Sequence, residues 1–267
     1  MANLYTINAG LDFLDKDHYG SPGAWNRASN SAQQIYNILV KGGFKGDLPL
    51  KNENATFNAF KDRIKGFEEM KDNDLLVISF HGHGGVVPES MSKQYNIEKP
   101  DSGWCFFDEC ALDYELWSLL MNFNPKSKVV VISDACYSGD LTYAHRDRTR
   151  ALPGFKKSNV ELGFFRKNEE KKYKPKLLKP RRKRLEVPPE VIIISGAKGR
   201  GKTGLGKRFT YFVHAFDMVQ LKTNFEVSYS EFFKELKLKM EPKQPPQIKY
   251  FPVEKEPVLS TKGIFTK

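Results

Sequence analysis

The chain has 267 residues, 40% of them hydrophobic and 28% charged, with 20 Phe and 11 Tyr. That is enough for one large domain or two modest ones around a real core, and too polar for a membrane bundle. The net charge of +11 is concentrated in one place: RKNEEKKYKPKLLKPRRKR at 166–184 holds 11 Lys/Arg against 2 Glu, so a basic surface made for nucleic acid is not expected.

In chain order, Leu4–Ala9 reads as a first buried strand. Ser29–Leu39 carries Ala32, Ile35, Tyr36 and Leu39 at helical spacing and stops at Gly42-Gly43. Thr56 is placed to cap a helix with Phe57, Phe60, Ile64 and Phe67 on one stripe. Asp74–Phe80 is a nearly continuous apolar strand, followed by a short one at Trp104–Phe107 and a helix at Tyr114–Met121. Val129–Ser133 and Val191–Ser195 are two more buried strands, and Phe209–Leu221 and Tyr229–Met240 close the pattern as helices. Apolar runs alternating with helices predict an α/β fold whose mostly parallel sheet is covered on both faces. The expected organisation is a single domain over 1–267, with 142–189 as a long insertion between two sheet strands. Within that insertion, prolines and adjacent like charges make 166–184 an exposed loop.

No 18-residue apolar run is present to cross a membrane, and MANLYTINAGLDF lacks the regions of a signal peptide. The three cysteines, at 105, 110 and 136, are too few and too odd in number for a disulfide scaffold, so a reducing, cytoplasmic setting is expected. Cys105 and Cys110 have no histidine at ligand spacing and read as core residues rather than a zinc pair.

The chemistry is carried by two strand ends. Asp74–Phe80 runs into His81-Gly82-His83-Gly84-Gly85, and VVVIS at 129–133 runs into Asp134-Ala135-Cys136 before a Tyr-Ser-Gly turn. In a parallel sheet these ends lie on one edge, where ligand crevices form. An imidazole near a thiol takes its proton, and the thiolate becomes the nucleophile. Either side chain alone would read as a satisfied histidine or a core cysteine. Together, each followed by a glycine turn, His83 and Cys136 read as a catalytic dyad. The glycines free the backbone to turn, so the amide of Gly84 with that of Cys136 forms a candidate oxyanion site.

These residues carry a resemblance. Ser79–Gly84 and DACYSG at 134–139 resemble the histidine and nucleophile motifs of caspase-like cysteine peptidases, closer to metacaspases and their bacterial relatives than to animal caspases. The 53 positions from His83 to Cys136 suit that spacing. Gly23-Ala24-Trp25-Asn26 with its helix, and Tyr229–Leu236 with Pro246-Gln247-Ile248, extend the likeness over about 1–160 and 190–252. The resemblance implies a three-layer caspase-like sandwich and a cysteine endopeptidase. It makes His83 the base and Cys136 the nucleophile, and it gives Asp134 to a pocket for arginine or lysine at P1, the residue before the cleaved bond. His81 is read as structural. Arg27 stands where the family has a second pocket aspartate, and Lys198 and Arg200 fall in a stretch that is often acidic there. If they face the pocket they oppose a basic P1. The expectation is that Arg27 turns to solvent and that Asp12, Asp15 or Asp17 supplies the charge.

The partners expected are a peptide or protein substrate and, at the basic loop, an acidic protein; neither nucleic acid nor membrane is expected, and the chain is expected to be a monomer. No cofactor is required, and the resemblance leaves calcium activation open. Self-cleavage in 166–184 follows if the pocket accepts Lys or Arg. Two rivals stand. Gly196-Ala-Lys-Gly-Arg-Gly201-Lys202-Thr203 fits the phosphate-loop pattern after a strand, but Gly204 and Gly206 interrupt the helix it needs and only 64 residues follow. A catalytically inactive interaction module is the other.

Overall fold

The computed structural model describes residues 2–20, 24, 27–86, 102–135, 189–196, 208–240 and 245–265. Five parallel strands and one antiparallel strand form the main sheet. They are β1 (Leu4–Gly10), β2 (Leu50–Lys51), β3 (Leu75–Gly82), β7 (Lys128–Ala135), β8 (Glu190–Ser195) and β9 (Gln247–Phe251), in the spatial order β2-β1-β3-β7-β8-β9. A second, antiparallel sheet holds β4 (Gly84–Val86), β5 (Ser102–Cys105) and β6 (Cys110–Leu112). The described helices are α1 (Lys16–Tyr19), α2 (Ala28–Lys41), α3 (Phe57–Lys65), α4 (Asp113–Leu120), α5 (Tyr211–Thr223), α6 (Tyr229–Lys239) and α7 (Glu256–Leu259).

Strand alternation divides the core in two. Leu76, Ile78 and Phe80 of β3 with Val129 and Val131 of β7 pack against Phe57, Phe60 and Ile64 of α3 and Leu116 and Leu120 of α4. Leu75 and Val77 with Val130 and Ile132 face Ile35 and Leu39 of α2 and Phe212, Val213 and Phe216 of α5. The sheet is therefore the middle of three layers. Strands buried on both sides must read as unbroken apolar runs, which is why LLVISF and VVVIS were visible as such.

Helix α3 begins as its sequence predicts, the Ala59 N–H donating to the Thr56 hydroxyl at 3.1 Å. The other boundaries agree within a few residues, with two informative departures. First, β7 runs beyond its apolar stretch through Asp134 and Ala135. Second, β9 is a further strand at the sheet's edge, pairing antiparallel with β8 from Ser195↔Gln247 to Val191↔Phe251. The short strand expected at Trp104–Phe107 lies at Ser102–Cys105 in the small sheet, not the main one. No helix among the described residues is long and apolar enough to cross a membrane. The insertion 142–189, apart from its last residue, and its basic loop lie outside the described residues.

Candidate active site

The parallel ladder between β3 and β7 ends with His81 opposite Asp134 and Gly82 opposite Ala135. The last described pair of the ladder therefore stands one residue before His83 on β3 and one before Cys136 on β7. Gly82 has φ of 155°, a conformation that is costly for residues with a side chain. The backbone turns there from the main sheet into β4. Cys136 itself lies outside the described residues, as do Lys198 and Arg200.

His83 is buried and held by its backbone, with the Cys105 N–H donating to its carbonyl at 3.0 Å. That bond fixes the amide beside it. Residues facing each other in an antiparallel ladder alternate between hydrogen-bonded and non-bonded pairs. His83 and Cys105 are bonded, so the next pair, Gly84↔Trp104, is not, and the Gly84 N–H points away from β5. Trp104 anchors the small sheet onto the large one. Its indole stacks on Phe80 with centroids 4.6 Å apart, and its Nε1–H donates to the Ser133 hydroxyl at 2.8 Å.

On the α2/α5 face, alternation carries Asp134 past Val130 and Ile132 to the sheet's C-terminal edge. Its carboxylate is fully buried. Oδ2 accepts from the Thr210 hydroxyl and lies 3.5 Å from His81 Nδ1. Oδ1 meets no hydrogen-bond donor among the described residues, and His81 Nε2 is likewise without a partner among them. A buried acceptor left this way is costly and marks a place where a further donor belongs. Thr210 is also the N-cap of α5, and the N-terminal end of α2 reaches the same spot: the Thr210 N–H donates to the Ser31 hydroxyl at 3.1 Å.

Arg27 is half-buried and precedes α2 in a left-handed conformation, φ 86°. The acids expected to replace the missing pocket charge lie just before or within α1. Asp12 receives the Ser29 N–H at 3.1 Å and the Ser29 hydroxyl, tying down the start of α2. Asp15 receives the Asp17 N–H at 2.9 Å as the cap of α1, and Asp17 is exposed. Cys105 and Cys110 are fully buried free thiols opposite each other on β5 and β6, within the core. No group of three His, Cys, Asp or Glu among the described residues could hold a metal ion.

Sequence reasoning singled out His83 and Asp134, and the structure places Thr210, His81 and Ser31 around the Asp134 carboxylate. His81, read as structural, has its ring beside Asp134, with Nδ1 3.5 Å from Oδ2. Thr210 carries only the generic signal of a helix cap. Of the phosphate-loop pattern, only Gly196 is described, and α5 is separated from Thr203 by the non-helical Arg208–Thr210.

No protein-family model matches the chain, and no curated protein matches it. Among solved structures, it is similar to protein GSU0716 from Geobacter sulfurreducens, at 26% identity with a TM-score of 0.79 over 99% of this chain and 98% of that one. It is also similar to caspase-1 from Spodoptera frugiperda, at 14% identity and a TM-score of 0.57, covering 93% of this chain and 86% of the other. The pro-form from the same insect gives 14% identity and a TM-score of 0.53, over 93% and 87%. The chain has the caspase-like fold: a mostly parallel central sheet between two helical layers.

Proposed function

We propose that this protein is a cysteine endopeptidase in which His83 and Cys136 form the catalytic dyad. One observation carries the reading above the others: β3 and β7 pair in register up to Gly82 opposite Ala135, each one residue before a member of the dyad. The Cys136 thiolate attacks the scissile carbonyl while His83 holds the thiol's proton. The Gly84 and Cys136 amides receive the oxyanion. The carbon–nitrogen bond then breaks, His83 protonates the leaving amine, and water, losing a proton to His83, hydrolyses the thioester.

Asp134 supports a basic P1, because a buried carboxylate with an unfilled acceptor suits a cationic side chain. The metacaspase branch fits this preference and the DAC motif better than an acidic-P1 caspase does. Residues 142–189 then form an insertion in a single peptidase domain, and 166–184 offers dense Lys/Arg sites for self-cleavage in a reducing, cytoplasmic setting. Arg27, Lys198 and Arg200 are the residues whose charge would oppose that preference.

The test compares wild type with Cys136→Ala on a mixed peptide library, using mass spectrometry to read both the peptides and the chain itself. Cleavage by wild type after Lys or Arg, with a loss of at least about 100-fold in the variant, is expected. Equal cleavage by the two proteins would remove the assignment.

A further inference from the structure

The two oxygens of Asp134 are not equivalent. Oδ2 is closed on both sides, by the Thr210 hydroxyl and by the His81 ring with Nδ1 at 3.5 Å. The Thr210 hydroxyl has no other orientation open to it. It accepts from the Val213 N–H at 3.3 Å and faces the Ser31 hydroxyl at 3.4 Å, so its single proton is committed to Asp134. The His81 backbone is fixed, paired in register with Asp134 and receiving the Leu11 N–H on its carbonyl at 3.0 Å, and its buried ring lies against Oδ2. Only Oδ1 is left without a partner among the described residues, and it lies buried beside Gly196, where an added Cβ would sit 2.8 Å from it.

One open oxygen and two do not select the same cation. A guanidinium reaches its full strength when its fork engages both carboxylate oxygens at once. An ammonium is a compact charge that can bind a single acceptor end-on. We propose that Thr210 and His81 act as positioning residues that present Asp134 through Oδ1 alone, so that the pocket selects lysine over arginine at P1. This rests on the reading of Asp134 as the floor of the substrate pocket.

The deciding measurement is binding, which does not depend on turnover. Two peptides identical except for Lys or Arg at P1 are titrated calorimetrically into full-length Cys136→Ala, and their hydrolysis by wild type is followed in parallel. The lysine peptide is expected to bind about tenfold more tightly, with the same ranking in kcat/KM. Thr210→Val and His81→Ala, each made in the Cys136→Ala protein, should move the ratio toward arginine by at least about threefold, and Thr210→Ser should restore it. His81→Ala leaves the α5 cap intact and carries the test if Thr210→Val does not fold. Arginine bound as tightly as lysine, a ratio that neither variant moves, or no binding of either peptide would overturn the inference. Lysine-selective binding without any hydrolysis would instead defeat the peptidase reading and leave this inference standing.

Discussion

The two ends of the central sheet treat their carboxylates in opposite ways. At the N-terminal end, Asp74 precedes β3 and is surrounded by donors. The Asn3 N–H reaches its Oδ1 at 2.7 Å, the Asn3 side-chain amide reaches the same atom at 3.2 Å, and the Lys71 N–H reaches Oδ2 at 2.9 Å. Glu190, which opens β8, pairs with Lys255 at 3.2 Å and Lys262 at 3.0 Å. Burial pushes the Glu190 carboxyl up, but the two lysines outweigh it and hold it below its ordinary value. At the C-terminal end, Asp134 is more deeply placed yet keeps an oxygen without a donor among the described residues. A carboxylate whose acceptors are filled by its own chain holds the fold together. One left with an acceptor unfilled calls for another explanation, and on the proposed reading that explanation is a substrate cation.

If that contrast is right, filling the space at the C-terminal end should cost activity far more than it costs folding. Gly196→Ala puts a Cβ 2.8 Å from Asp134 Oδ1 and 2.9 Å from the Phe212 ring, so one of them must move. Overpacking of this kind destabilises by about 1–3 kcal/mol. The predicted loss of kcat/KM on lysine-P1 peptides is larger, at least about 100-fold, because the added Cβ crowds the Asp134 oxygen that, on the proposed reading, orients the substrate. Alkylation of Cys136 by a small electrophile should change little. A variant that keeps its activity while losing stability would place Gly196 among the merely structural glycines.

The same contrast explains what the sequence could and could not reveal. The strands buried on both faces announced themselves as LLVISF, VVVIS and VIIIS, and α3 was legible from Thr56 and its aromatic stripe, because burial against a core leaves a local pattern. QIKYF of β9 did not, since an edge strand with Gln247, Ile248 and Lys249 only half-buried alternates weakly. Asp134 and His83 could be singled out because each follows a buried apolar run, one two residues before a cysteine and the other between glycines. The Thr210 contact joins residues 76 positions apart, and nothing in the local sequence distinguishes Thr210 from any other helix cap. Unequal carboxylate oxygens are a property of three-dimensional placement, so the specificity argument had to wait for the structure.

At the N-terminal end the expected effects are smaller and belong to stability. Burial pushes the Asp74 carboxyl up, but the donors from Asn3 and Lys71 outweigh it and hold the group below its ordinary value. A carboxylate whose pKa is lowered by folding contributes stability that is present above its unfolded value of about 4. That contribution is lost as pH falls through the lower folded value, when the native state must also take up the proton. Asp74→Asn removes the charge and one acceptor, so the variant should be less stable than wild type by about 1.5–3 kcal/mol at neutral pH. Urea unfolding across a pH series reads the difference directly. The gap should hold from neutral pH down to about 4 and narrow below it, as wild type loses what the variant never had. A gap of constant size down to the acid limit would mean that the charge of Asp74 does not anchor this end of the sheet, and that only the shape of its side chain matters there.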